Sequence, residues 1–193
     1  MPQYQIDTFY SPRKFFGLPD GAYLYTNTLL DITIDQDISY QRFNHLLQRI
    51  DLDAEAGYKN FQENERLLAS KPILQMSVLT NSILKSIDYA HVSSKRIENY
   101  KYIEKHLNNS NILNLKLLEG QVPLVYPFYS NAANLRTKLI KNKIFTAQYW
   151  PNVLELVEKD TLEYKLVTQT VHLPIDQRYS TSDLDYILDI IKS

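Results

Sequence analysis

Residues 10–25 read YSPRKFFGLPDGAYLY and place one lysine, Lys14, between two proline-containing turns. Ser11-Pro12 precedes the lysine and Pro19-Asp20-Gly21 follows it, in compositions that are typical of tight turns. The run of residues 22–26 after the second turn is rich in aromatic side chains, which predicts a β-strand. We therefore expect a short loop that presents the Lys14 amine just before a strand.

The Lys14 amine is a candidate nucleophile. Lysine amines are protonated at neutral pH, and enzymes that use them lower the pKa by burial or by cationic neighbours. Arg13 is adjacent to Lys14, and Phe15 and Phe16 supply apolar surface that can exclude water. An ordinary solvated Arg-Lys pair in a loop is the alternative interpretation of the same residues.

Helical patterns dominate the chain after the first strand. Asp53 is predicted to cap a helix that ends near Pro72, and the longest helical periodicity covers residues 77–107. The run Asn108-Asn109-Ser110-Asn111 is a strong helix breaker. We therefore predict a domain boundary there, with residues 1–108 forming the first domain and residues 109–193 the second.

Short strands and short helices alternate in the second half. Strands are predicted at residues 122–128, 143–147 and 171–175. A helix capped by Ser130 or Asn131, a helical stretch over residues 153–160 and a last helix capped by Ser182 are predicted between and after them. The predicted fold class is α/β, with a helical N-terminal segment and a small C-terminal domain whose sheet is mainly antiparallel.

Composition narrows the function classes. The 193 residues are 44% hydrophobic and 22% charged, and the net charge of −1 gives no electrostatic reason to expect nucleic acid or an anionic membrane as a partner. The absence of cysteine excludes disulfides and thiolate metal sites and fits the cytoplasm. No apolar run approaches the roughly 18 residues of a membrane span, and the N-terminus lacks the features of a signal peptide. The sequence predicts a soluble, cytoplasmic protein.

Other candidate site residues give weaker patterns. The four histidines do not have metal-ligand spacings, and no metal site is predicted; they are His45, His91, His106 and His172. The aspartates of the last helix and the surface arginine Arg136 are interpreted as solvated. Tyr149 and Trp150 precede Pro151 and fit either a core anchor or a pocket wall.

The segment from Ser11 to Tyr25 resembles the surroundings of the cofactor lysine in fold type I aminotransferases that depend on pyridoxal phosphate (PLP). It is most similar to the DegT/DnrJ/StrS group, which aminates nucleotide-linked keto-sugars. Lys14-Phe15-Phe16-Gly17 and Asp20-Gly21-Ala22 stand in that family's order. Later segments resemble the family's C-terminal domain in the same order: residues 123–127, 135–139, 143–145, 149–154 and 172–180.

The resemblance implies specific roles. Lys14 would be the Schiff-base residue and proton shuttle, Ser11 a ligand of the cofactor phosphate, and Tyr149 and Trp150 contacts of a sugar or amino-acid substrate. In the family the serine usually lies five residues before the lysine, whereas Ser11 lies three before Lys14. The family's phosphate loop, stacking aromatic and pyridine-binding aspartate all precede the lysine.

Only thirteen residues precede Lys14. The resemblance therefore implies a truncated transferase: the C-terminal portion of an aminotransferase, incomplete or inactive by itself. Residues 1–108 would be a remnant of the large PLP domain, with its remnant strand or strands and long helices, and residues 109–193 the small C-terminal domain. It would work as a homodimer or other homo-oligomer, or with a partner chain that supplies the missing large domain. Two alternatives remain open. One is a non-catalytic interaction or oligomerisation module on the same scaffold, and the other is a lysine Schiff-base enzyme that acts without PLP, such as an aldolase.

Overall fold

The structure is a computed structural model that describes residues 6–28, 31–132 and 134–193. The chain forms two compact units, residues 1–87 and residues 88–193. Residues 1–5, which contribute to the expectation that no signal peptide is present, lie outside the described ranges. Within those ranges, every helix is too short or too polar to cross a lipid bilayer.

The first unit contains a β-ribbon and three α-helices in its described part. Strands β1 (Thr8–Tyr10) and β2 (Tyr23–Tyr25) pair antiparallel, with Phe9 opposite Leu24. Two short 3₁₀ helices are also present: Pro12–Lys14 lies between β1 and β2, and Tyr40–Arg42 precedes the first α-helix. The α-helices are α1 (Asn44–Asp51), α2 (Tyr58–Ser70) and α3 (Val78–Lys85).

The interior of the first unit is unusually polar. Leu18 and Leu84 are the large hydrophobic side chains that it buries among its described residues. A larger set of buried residues is polar or charged: Asp20, Ser39, Arg42, His45, Asn64, Ser77 and Thr80. Hydrogen bonds and ion pairs rather than apolar packing therefore define this unit internally, and much of its apolar surface stays exposed.

The second unit contains one sheet and four α-helices in its described part. The elements are α4 (Tyr89–Leu107), β3 (Val125–Tyr129), α5 (Leu135–Lys141), α6 (Leu162–Gln169), β4 (Thr170–Pro174) and α7 (Thr181–Lys192). A 3₁₀ helix, Pro151–Glu155, lies before α6. Strands β3 and β4 pair antiparallel, and Ala147 makes an isolated antiparallel bridge with His172 on β4.

A continuous hydrophobic core holds the second unit together. Alternate residues of β3 and β4 are buried on one face, where Tyr126 lies opposite Leu173 and Phe128 opposite Val171. Helices α4, α5 and α7 contribute the rest of the cluster: Tyr100, Ile103, Leu107, Leu135, Leu139, Leu184, Ile187, Leu188 and Ile190, with Ile144 and Ile175 from connecting segments. The described residues thus form a mixed α/β fold, the class that the sequence predicts, with two small antiparallel two-stranded sheets.

The domain division differs from the predicted boundary after residue 108. The structure divides the chain between Ile87 and Asp88, so α4 belongs to the second unit. The reason is packing, since Tyr100, Ile103 and Leu107 of α4 join the core around β3 and α7. A polar breaker ends a helix without deciding which core that helix packs against.

Several element boundaries also differ from prediction. The helix predicted over residues 77–107 is two helices, α3 and α4. The Asp88 carboxylate accepts a hydrogen bond from the His91 N–H and so caps the start of α4. The predicted strand 143–147 is reduced to the single bridge at Ala147, and the backbone at Lys143 is left-handed, with φ of 63°. Helix α5 begins after Asn134 rather than after Ser130 or Asn131.

Candidate functional site

The Lys14 segment is a short, well-anchored turn. The Ser11 carbonyl accepts a hydrogen bond from the Lys14 N–H at 3.1 Å, and the Pro12 carbonyl accepts bonds from the Phe15 and Phe16 N–H groups at 3.0 and 2.9 Å. Pro12 is buried at the first position of the 3₁₀ helix, where its fixed φ favours helix entry. The turn therefore has a defined backbone that carries Lys14 at its end.

Side chains around Lys14 differ in exposure. Arg13 forms an ion pair with Glu65 on α2, Phe15 and Phe16 are half-buried, and Lys14 itself is exposed. The sequence-based hypothesis expects an amine partly shielded from water, and the described residues of the first unit do not provide that shielding. The reason is local: the turn directs Pro12 and Arg13 towards the body of the unit and leaves Lys14 outside.

Ser11 occupies the N-cap position of the 3₁₀ helix. Its hydroxyl makes no capping hydrogen bond, and its carbonyl is the group that accepts from the Lys14 N–H. Ser11 and Lys14 are therefore brought together by the turn. The role of Ser11 as a phosphate ligand stays a prediction.

Immediately after this turn, a buried ionic network fixes the chain. The Asp20 carboxylate accepts hydrogen bonds from Arg42 Nη2 at 2.8 Å and from the Thr80 hydroxyl. Arg42 also pairs with Asp37, and Lys71 Nζ lies 2.8 Å from Asp37 Oδ1. Buried charges of this kind are tolerated because each is paired and hydrogen-bonded.

Asp37 shows the electrostatic strength of this network. Burial acts to raise the pKa of its carboxyl, but hydrogen bonds from Arg42 and Lys71 outweigh burial and lower the pKa to about 2. Asp37 is therefore a carboxylate throughout the physiological range. The sequence marks Asp20 as a turn residue but gives no signal that Arg42, Asp37 and Thr80 converge on it.

A second cluster of candidate residues lies in the second unit, at the corner formed by Tyr149, Trp150 and Pro151. The Tyr149 ring lies edge-on to the His172 ring with centroids 4.5 Å apart, and its centroid is 5.8 Å from that of Trp150. Trp150 is 69% exposed and has a left-handed backbone with φ of 51°. An exposed tryptophan held in a sparsely populated conformation is a feature of binding sites rather than of cores.

Electrostatics at this corner favour neutral groups. Burial raises the pKa of the Tyr149 phenol, and the nearby Arg96 partly opposes that rise. Burial also lowers the pKa of His172, although the hydrogen bond to the Ala147 carbonyl at 3.2 Å acts in the opposite direction. Since a carbonyl only accepts, Nδ1 of the neutral ring donates and Nε2 keeps its lone pair. From the sequence, His172 is only one of four histidines without metal-ligand spacing.

Arg96 and Asn99 on α4 bind the segments that precede β3 and follow β4. Arg96 is fully buried and donates to the carbonyls of Pro123 and Leu124 at 3.2 and 3.1 Å and to the Gln177 side chain at 2.9 Å. The Asn99 amide donates to three backbone carbonyls that precede α7, those of Ile175, Asp176 and Tyr179. These residues hold loops in place, and we assign them no chemical role.

The other candidates from the sequence have structural partners. Arg136 donates to Gln148 Oε1 at 2.8 Å. Asp183 forms a capping box with Ser180 at the start of α7, and Asp185 accepts a hydrogen bond from the Tyr102 hydroxyl at 2.5 Å. No group of three or more metal-ligating side chains occurs in the part of the chain that the structure describes.

The described residues of the first unit fit only one part of a PLP site. A cofactor of this type needs an amine, donors for its phosphate and an acid for its pyridine nitrogen. Lys14 supplies an accessible amine. The nearby charged groups are engaged with one another, since Arg13 pairs with Glu65 and Asp20 pairs with Arg42. These charged groups are therefore not available to the phosphate or the ring, and Ser11 remains the predicted phosphate ligand.

Comparisons with known proteins give a distant structural similarity. No protein-family model matches the chain, and no curated protein matches it. A solved structure, the crystal structure of a DegT DnrJ EryC1 StrS aminotransferase from Brucella abortus, is similar with a TM-score of 0.40 and 15% sequence identity. The similarity covers 72% of this chain and 34% of that one, so this chain spans about a third of the length of the solved structure. A similarity of this size leaves the family of the chain unassigned.

Proposed function

We propose that this chain supplies the amine-bearing portion of a PLP-dependent aminotransferase, with Lys14 as the reactive lysine. The other cofactor contacts would come from polypeptide outside the described residues, either a partner chain or a second copy. The observation that carries the proposal is the combination of an exposed amine with a fixed backbone. Lys14 is accessible, while Pro12 before it and Leu18, Pro19 and Asp20 after it are buried.

A fixed, exposed amine is suited to form part of a composite site. Exposure lets a carbonyl group reach the nitrogen, and the hydrogen-bonded turn fixes the backbone from which the lysine side chain extends. The half-buried rings of Phe15 and Phe16, with centroids 6.3 Å apart, add apolar surface beside the amine. The residue types and their order from Lys14 to Ala22 agree with the resemblance described above, whereas Ser11 departs from the family's spacing.

We assign substrate recognition to the corner at Tyr149 and Trp150. An exposed indole next to a half-buried phenol offers a flat surface and a hydrogen-bonding group, which suits a sugar or amino-acid substrate. His172 lies against Tyr149 and can accept a hydrogen bond through Nε2. The proposal makes these three residues binding groups rather than proton-transfer groups.

Absorbance spectroscopy with PLP tests the Lys14 assignment. We expect the full chain titrated with PLP to give a new absorbance band that is absent from Lys14→Ala and retained in Lys85→Ala. Lys85 is a suitable control because it is also exposed and lies at the end of α3 in the same unit. A band of equal size in all three proteins would show that lysines react indiscriminately.

A specific observation favours a second candidate function, that of a non-catalytic interaction or oligomerisation module. The β1–β2 ribbon exposes large apolar side chains along most of its length, including Phe9 at 76% and Leu24 at 54%. Tyr10, Tyr23 and Tyr25 are also exposed. An isolated two-stranded ribbon is at best marginally stable in water, and exposed apolar patches of this kind mark contact surfaces.

Light scattering tests this second candidate. If the ribbon is an oligomer contact, the chain at micromolar concentration is larger than a monomer and Leu24→Lys returns it to monomer size. Leu156→Lys is the matched control, because Leu156 is also an exposed leucine, at 77%, and lies in the second unit. A monomeric wild-type chain would remove the support for this candidate.

A further inference from the structure

The segment that follows Lys14 is a buried and hydrogen-bonded loop of the first unit. Leu18 and Asp20 are 3% and 4% exposed, and Pro19 is buried between them. The Asn64 side chain on α2 donates to the Pro19 carbonyl at 2.9 Å. An exposed lysine is thus followed within six residues by a segment with almost no contact with water.

Asp20 connects this segment to two further elements. Its Oδ2 accepts from Arg42 Nη2 at 2.8 Å, and its Oδ1 accepts from the hydroxyl of Thr80, which is completely buried on α3. Arg42 belongs to the 3₁₀ helix Tyr40–Arg42 and also donates to the Ile38 carbonyl at 2.9 Å. A buried carboxylate that lost these donors would be left uncompensated, so the loop position depends on them.

The backbone at Gly21, directly after Asp20, is restricted in conformation. Gly21 has φ of 102°, a conformation that side-chain-bearing residues rarely adopt. A Cβ atom at this position would lie 3.1 Å from both Met76 Cε and Thr80 Cγ2. The backbone at Gly21 therefore packs closely against the start of α3, on the same residue that binds Asp20.

We infer that Asp20 is a positioning residue, which acts through Arg42 and Thr80 to hold the Lys14 turn in one conformation. That Lys14 is a reactive amine rests on the proposed function; the anchoring of the turn does not. Asp20 and Lys14 do not hydrogen-bond to each other. Asp20 acts on Lys14 through the short backbone between them, which is fixed by the hydrogen bonds of the Phe16 and Leu18 N–H groups.

Amide hydrogen exchange and lysine acylation on the full chain test this inference without cofactor. We expect Asp20→Asn and Thr80→Val to speed exchange of the Lys14, Phe15 and Phe16 amides at least tenfold. Amides of α2 and α4 should exchange as in the wild type. Lysine acylation is measured by mass spectrometry with a small amine-reactive reagent. The ratio of the Lys14 rate to the Lys85 rate should differ from the wild-type ratio in both variants.

Matched variants separate positioning from general stabilisation. Asp35→Asn makes the same chemical change at an exposed carboxylate in the same unit and should leave both readouts unchanged. Thr80→Ser keeps the hydroxyl donor and should show the same amide exchange and Lys14 acylation as the wild type. Unchanged exchange in Asp20→Asn and Thr80→Val, or faster exchange spread evenly over the first unit, would overturn the inference. If PLP gives no Lys14-dependent band while the variants show the expected faster amide exchange, only the proposed function is refuted.

Discussion

At the scale of single residues, the charge on Asp37 stabilises the folded state, and this stabilisation depends on pH. Its pKa falls from the ordinary 3.8 to about 2 because hydrogen bonds from Arg42 and Lys71 outweigh burial. A carboxyl with a lowered folded-state pKa stabilises the folded state at pH values above 3.8, and that stabilisation disappears as the pH falls towards 2. The first unit should therefore become less stable in acid.

Replacing Asp37 tests this linkage. Near pH 7 we expect Asp37→Asn to lower the free energy of unfolding by about 2 kcal/mol, the amount that corresponds to the pKa change. The difference from the wild type should shrink steadily below pH 4. Urea denaturation of both proteins across this range measures it, with Asp35→Asn as an exposed control. A difference that is independent of pH would contradict the linkage.

At the same scale, the sequence identifies Lys14, Tyr149 and Trp150 as notable but not their surroundings. The sequence leaves Tyr149 and Trp150 as either a core anchor or a pocket wall, and the structure places the Tyr149 ring against His172 and exposes Trp150. His172 is brought there by the bridge to Ala147, a tertiary pairing that residue spacing cannot reveal. The convergence of Asp20, Arg42 and Thr80 is likewise long-range and has no local signal.

At the scale of elements, the capping residues are predictable in type but not always in position. The sequence predicts Ser182 as the cap of the last helix, whereas α7 begins after Ser180. The Ser180 hydroxyl accepts from the Asp183 N–H, and the Asp183 carboxylate accepts from the Ser180 N–H at 2.8 Å. Both serines suit an N-cap, so only the reciprocal hydrogen bonds decide between them.

Alanine substitutions at the two serines measure this difference. We expect Ser180→Ala to lower the free energy of unfolding of the second unit by about 1 kcal/mol, because the cap supplies a partner for a helix N–H group. Ser182→Ala should cost less than half of that amount. Thermal denaturation followed by circular dichroism makes the comparison. Equal losses in the two variants would contradict the assignment of the cap.

Strand prediction shows the same limit. The alternating pattern of residues 171–175 predicts β4 closely, and that of residues 122–128 overlaps β3. The run 143–147 has equally suitable residue types and yet forms one bridge to β4, and it begins at Lys143 with a left-handed backbone that an extended strand does not accommodate. Local propensity therefore predicts where a strand can form, and tertiary packing decides where it does.

At the scale of the whole molecule, the two units differ in how their interiors are built. The second unit has a continuous apolar core from α4, α5, α7 and the sheet. The first unit has a polar interior and exposes many large apolar side chains among its described residues. Apolar burial is the dominant source of folding free energy, so the second unit should fold by itself.

Two fragments test both the core and the boundary. Residues 88–193, which include α4, should unfold cooperatively in urea. Residues 109–193, cut at the boundary predicted from the sequence, should lack a cooperative transition because Tyr100, Ile103 and Leu107 are missing from the core. Cooperative unfolding of the shorter fragment would show that α4 is dispensable and would favour the predicted boundary.

The proposed function depends on Lys14 being a reactive amine held on a fixed turn. Peptide mapping after incubation of the full chain with PLP and reduction with borohydride tests this most directly, because reduction makes any carbonyl–amine adduct permanent. We predict that the peptide carrying Lys14 is labelled several-fold more than the peptide carrying Lys85. Labelling spread evenly over the exposed lysines would contradict the claim.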